Sequence, residues 1–204
     1  MENIKYELTT EVNEFNGEQL FRIKAVKSFG NVTRGDLGGF VSAERNLGHS
    51  GDAWVYNNAK VYGNAKVCDN ALVAGNARVS GDACVAGNAQ VFGDAKVCGD
   101  VWVFGNAWVY GDARVSGDAR VCGDALVIIK LPVYQGSTHT CNPIPCKNEL
   151  LIRIGCQIHT YEKWIQCGEA IAKADNMTLL QRTEYLGYVE MCKFWYDNYC
   201  KKEA

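Results

Sequence analysis

At 204 residues the chain is long enough for one or two domains with a sizeable core. Its 48% hydrophobic content excludes a disordered polymer, and its net charge of −2 excludes a globally basic nucleic-acid binder. No apolar h-region follows Met1 and no run of about 18 apolar residues occurs, so neither a secretory leader nor a membrane span is expected.

In chain order, residues 1–28 read as a β-hairpin, with YELTTEV and QLFRIKAV flanking the turn pair Asn16-Gly17. Residues 29–52 are rich in turn formers and read as an irregular first coil, capping whatever follows. Residues 53–124 then repeat one six-residue unit twelve times, A-x-V-x-[GND]-[ND], from AWVYNN to ARVCGD, and only Val101 replaces the leading Ala. In a strand, Ala59 and Val61 point one way while Lys60 and Tyr62 point the other. The small, monotonous Ala/Val side is the inside of a narrow tube, and the variable side is the outside. The Gly-Asn or Gly-Asp pair turns the chain, because these residues tolerate positive φ. Residues 129–204 lose the period. They read as an α+β region with LLIRI as a strand, a helix from Tyr161 to about Ala174 capped by Thr160, and a second helix to about Cys200 opened by Thr178 and Gln181. That second helix carries Leu179, Leu186, Val189, Trp195, Tyr196 and Tyr199, expected to pack on the tube end or a sister subunit.

The unit V-x-G-[ND]-A-x resembles the hexapeptide repeat of left-handed parallel β-helix proteins. That resemblance implies three hexads per triangular coil, hence a left-handed β-helix over residues 29–128 with four regular coils and a rise of about 4.8 Å each. The wider arrangement resembles phage and prophage accessory proteins. It has a GDLGG motif at Gly35–Gly39 before the hexads, and Gly155, Cys156, Thr160 and Lys163–Trp164 after them.

Three-hexad stacking sorts the outward residues into three columns. One is aromatic, with Trp54/Tyr56, Leu72/Ala74, Gln90/Phe92 and Trp108/Tyr110. Such a face is too sticky for water, and Trp54, Tyr56, Phe92, Trp108 and Tyr110 are the expected interface of a homotrimer. The second carries Lys60/Tyr62, Arg78/Ser80, Lys96/Cys98 and Arg114/Ser116, a ladder of four cations. The third, with Lys66/Cys68, Cys84/Ala86, Trp102/Phe104 and Arg120/Cys122, is mixed. Every charged outward strand residue of the hexads is basic, while the acids sit at corners, Asp82, Asp100 and Asp118 stacking on one of them as neutralising partners. The outward cysteines Cys68, Cys84, Cys98 and Cys122 never share a column on adjacent coils, so they read as free thiols, which suits a reducing cytoplasm.

Lys60, Arg78, Lys96 and Arg114, helped by Tyr62, are therefore the expected binding strip for an anionic, nucleotide-like ligand. Hexapeptide-repeat acyltransferases use one His as general base. Here only His49 lies at the coil edge, so catalysis is not expected and His49 is the alternative. Cys141, Cys146, Cys156 and His159 have a loose zinc-like spacing, kept as an alternative to no metal, and no cofactor is expected. The reading is a non-catalytic, oligomeric, phage-type binding protein of the cytoplasm. The phage resemblance implies counter-defence, by sequestering a nucleotide signal or blocking a host protein, with no membrane or duplex nucleic acid as partner. A His49 acyltransferase and a structural virion or scaffold component are the alternatives.

Overall fold

The computed structural model describes residues 4–117, 119–123, 126–127, 132–145 and 149–199. The chain is mainly β, a parallel β-solenoid of about four turns followed by a small region with two helices. The repeat sets its geometry. Lys60 pairs with Arg78, Arg78 with Lys96 and Lys96 with Arg114, always in parallel, so each coil returns to register after 18 residues. The aromatic column runs Trp54, Leu72, Gln90, Trp108, Leu126 and the mixed column Lys66, Cys84, Trp102, Arg120. Backbone bonds link coil to coil, as where the Lys60 N–H donates to the Ala77 carbonyl at 2.9 Å. The Ala and Val positions from Ala53 to Val121 are all buried and form one continuous apolar core. Each buried Val contributes about 1.5–3 kcal/mol relative to exposure, before the entropy of ordering is subtracted.

Corners turn at positive φ. Gly81 sits at φ 72°, and a Cβ there would lie 2.8 Å from the Gly99 nitrogen on the next coil. Asn57 and Asp69 hold the same corner position at φ 54° and 59°, a conformation their short polar side chains tolerate. The corner amides form ladders: Asn64 donates to Asp82, Asn76 to Asp94, and Asn70 to Asn88, which donates to Asn106.

At the N-terminal end the strands Tyr6–Phe15 and Glu18–Ala25 form an antiparallel hairpin whose second strand pairs with Leu37–Val41. Leu37–Val41 pairs in parallel with the Lys60 rung, so part of the 29–52 segment is a true rung added to the tube. GDLGG supplies it: Cβ atoms at Gly38 and Gly39 would lie 2.6 Å and 2.5 Å from the Val55 and Ala59 carbonyl oxygens. Lys5 plugs this end. It is 1% exposed, and its ammonium donates to the Ala53 carbonyl at 2.8 Å and the Gly51 carbonyl at 3.3 Å.

Past the tube, Tyr134–Gln135, Thr140–Pro145, Leu150–Ile154 and Gln157–Thr160 form an antiparallel sheet in that order. Helix α1 (Tyr161–Ala174) is capped by Thr160 Oγ1, which accepts from the Lys163 N–H. Helix α2 (Leu179–Tyr199) opens on a reciprocal box: the Thr178 N–H donates to Gln181 Oε1, and the Gln181 N–H donates to Thr178 Oγ1. Of the two places expected for α2, the tube end or a sister subunit, the tube end is corrected here: within the chain α2 packs on the C-terminal sheet and on α1. Its buried residues Tyr185, Val189, Cys192 and Trp195 form the face that meets the C-terminal sheet, and Leu179 is 71% exposed. The sheet is the nearest apolar surface, so it takes the stripe.

Candidate functional site

The hexad places a cation at its second position on each rung of one face, and the parallel register brings Lys60, Arg78, Lys96 and Arg114 into a single line. The line is not uniform. The hairpin carries Phe15 over its N-terminal end, 5.4 Å from the Lys60 ammonium and 4.6 Å from the Arg78 guanidinium, with Tyr62 edge-on at 5.6 Å. Phe40 contacts Lys60 from below at 5.6 Å. Burial, reinforced by the Arg78 charge, holds the Lys60 ammonium below the usual lysine range, and Lys60 donates to the Asn58 carbonyl. Lys60 and Tyr62 are therefore largely engaged within the chain, which narrows the expected strip of four cations.

The open part is a groove of about 270 Å³ lined by Asn76, Arg78, Asp94, Lys96, Asp112 and Arg114. Among the described residues, Lys96 and Arg114 make no ion pair. The groove also corrects the expected corner. The acids beside the cations are Asp94 and Asp112, on the corner preceding each cation, whereas Asp82 accepts from Asn64 on the following corner. Asp118 lies outside the described residues. The groove sets a column of carboxylates beside the column of cations, with one more cation than acid among its lining residues.

The aromatic face is split as well. Trp54 was expected at an oligomer interface, but it is 0% exposed: Phe29 and Tyr6 cover it edge-on at 5.4 and 6.2 Å. Tyr56 is half-buried against the core. What remains outward is a cluster in which Phe92 stacks on Tyr110 at 5.1 Å and meets Trp108 edge-on at 5.9 Å, with Trp108 44% exposed.

His49 stacks on Tyr6 at 4.6 Å in a shallow cleft with Glu44, Arg45 and Ser50. Its Nδ1 accepts the Lys5 N–H at 3.2 Å, which places the proton on Nε2, 2.9 Å from Glu44 Oε1. Both ring nitrogens are thus occupied, Nδ1 in fastening the start of the hairpin to the first coil and Nε2 within that coil. The zinc-like set does not converge among its described members. Cys141 is buried against α2, Cys156 is exposed in a turn, and His159 packs edge-on against Trp164 at 5.1 Å; Cys146 lies outside the described residues. Among the described residues no group of three or more metal-ligating side chains forms.

Cys68, Cys84, Cys98, Cys141, Cys156, Cys167 and Cys192 are free thiols. Cys68 and Cys84 share the mixed face but stand out of register, since Lys66 pairs with Cys84; they are diagonal neighbours, and burial together with Cys84 pushes the Cys68 thiol up to about 11. Sequence reasoning missed Phe15 and the groove acids Asp94 and Asp112. The corner residues could have been found from the hexad phase, but nothing local says that the hairpin tip folds back onto the Arg78 rung.

The YdcK β-solenoid repeat family matches residues 65–81 and 107–123, two stretches that each span just under one coil of the tube. No curated protein matches the chain. The chain is a β-solenoid repeat protein, and no helix among its described residues is long and apolar enough to cross a membrane.

Proposed function

We propose that this protein is a non-catalytic binder of anionic, phosphate-bearing small ligands, which dock across the Arg78–Lys96–Arg114 groove. The observation that carries the reading is the in-register line of three cations in an open groove, with no ion pair to any of them among the described residues. Cations one coil apart repel by about 1 kcal/mol or less after screening. Asp94 and Asp112 offset part of that repulsion, and a ligand phosphate offsets the rest. Phe15, whose ring packs on the Arg78 guanidinium, closes one end of the groove. The engaged nitrogens of His49 argue against the acyl-transfer alternative. In the setting that the phage resemblance implies, such a protein sequesters a nucleotide signal. A homo-oligomer, a trimer in this reading, is assembled through the Phe92, Trp108 and Tyr110 cluster, and light scattering that shows a monomer at micromolar concentration would remove that part.

The test is a thermal-shift screen of mono-, di- and cyclic nucleotides on wild type and on Arg78→Glu/Lys96→Glu. A ligand raises the melting temperature by mass action, and salt weakens the effect. If no nucleotide shifts the wild type, or the double variant responds equally, the groove is a solvated face.

A further inference from the structure

We infer that Cys141 and Cys192 form a buried thiol–disulfide site, which a low-molecular-weight disulfide of the glutathione class converts into a covalent clasp between the C-terminal sheet and α2. The two Sγ atoms are 3.9 Å apart and belong to residues 51 positions apart in the chain. Both are fully buried. Cys141 lies on the strand Thr140–Pro145, and Cys192 lies in the stripe that α2 presents to it. A disulfide requires about 2.0 Å between sulfurs, so the pair must close by about 2 Å, within reach of side-chain rotation.

The other described thiols are placed differently, and Cys68 and Cys84 interact at the tube surface instead of in a buried seam between two elements. Cys98, Cys156 and Cys167 are exposed. Cys68 and Cys84 stand two residues out of register on adjacent rungs. A 68–84 bond would link neighbouring rungs of the tube and leave α2 untouched, so the linkage map separates it from the 141–192 bond.

The location gives the bond a consequence. Polar ties between α2 and the sheet region cluster in its first half. Glu184 accepts from Ser137, the Tyr185 hydroxyl accepts from the Thr138 and His139 N–H groups, and the Tyr188 hydroxyl donates to the Gln135 carbonyl. Cys192 sits one turn beyond, so a bond there pins the second half of the helix. Contact with Cys141 and burial push the Cys192 thiol far above its ordinary range, so the pair is inert while α2 is seated. The exchange proceeds when α2 lifts. One protein thiolate attacks the small disulfide, forms a mixed disulfide and releases one small thiol. The second protein thiolate then attacks the protein-side sulfur and expels the other. Two protein S–H groups are lost, one S–S bond forms, and the small disulfide is reduced to two thiols.

The experiment incubates the full chain carrying Cys98→Ser, Cys156→Ser and Cys167→Ser with oxidised glutathione, followed by intact mass and peptide mapping. The expected product is two hydrogen atoms lighter, contains a linked 141–192 peptide, melts several degrees higher and reverts with a reducing dithiol. Adding Cys192→Ala should abolish both the linked peptide and the shift. Oxidation that yields only glutathione adducts, or an equal shift in the Cys192→Ala protein, overturns the inference. The linkage map is read on protein retaining both cysteines, so it stands even if Cys192→Ala folds poorly.

Discussion

The tube and the C-terminal region bury apolar surface by opposite means. In the tube every inward position is Ala or Val, and identical residues stack coil on coil, so no single side chain is distinctive. In the C-terminal region the core is built from large, individually placed residues. Trp164 donates its indole N–H to the Ile152 carbonyl at 2.8 Å, and Tyr185 closes the turn at Thr138 and His139 through its hydroxyl. The first design spreads stability over a repeated nearest-neighbour term, while the second concentrates it in a few residues. A change inside the tube should therefore propagate along it, and a change in the C-terminal core should stay local.

The largest expected effect breaks the tube. Val85→Asp buries an unpaired charge in a dry lumen, at a cost above about 4 kcal/mol. Circular dichroism and limited proteolysis should show loss of the whole solenoid; a retained melting transition would refute the inward assignment. Trp164→Ala comes next, at about 3–5 kcal/mol from lost packing and an orphaned carbonyl. Proteolysis should then open residues 132–199 while fragments of the tube stay protected. If both regions melt together, the two cores are one cooperative unit.

A pH experiment probes the tube's plugged end. Burial is the main cause that lowers the Lys5 ammonium from 10.5 to about 8. Below pH 8 folded and unfolded chains both carry this proton. Between pH 8 and 10.5 the unfolded chain binds more protons, so the Lys5 contribution to stability rises with pH, by about 2–3 kcal/mol in all. Denaturant titrations at pH 7.5, 9 and 10 should show that rise in wild type, and Lys5→Met should lack it. A parallel slope in both proteins would assign it elsewhere. The smallest expected effect is Asn64→Ala, which removes one solvent-facing corner bond to Asp82 and should cost about 0.5–1 kcal/mol by chemical denaturation. A much larger loss would mean that the corner ladders, and not the lumen, set the stability of the coils.

The legibility of the candidate site follows the same division. The alignment of Arg78, Lys96 and Arg114 could be read from the hexad phase, because identical units must stack in identical register. The fate of Lys60 and Trp54 could not. Both obey the outward rule, but both are covered by segments distant in sequence, Phe15 and Phe40 over Lys60 and Tyr6 and Phe29 over Trp54. His49 resembled a base at the coil edge until the Lys5 amide and the Glu44 carboxylate were found on its two nitrogens.

By itself the sequence determined the tube, its inward and outward faces, its corners and the caps of both helices. These depend on side-chain alternation, positive-φ turns and residues within four positions of one another. Only the tertiary structure decided which outward residues reach solvent, which acids stand beside the cations, and that Cys141 meets Cys192 across 51 residues. The physical reason is that a repeat encodes its own stacking in every unit. A non-repeating segment docks where its apolar face finds surface, and that surface is created only once the rest of the chain has folded.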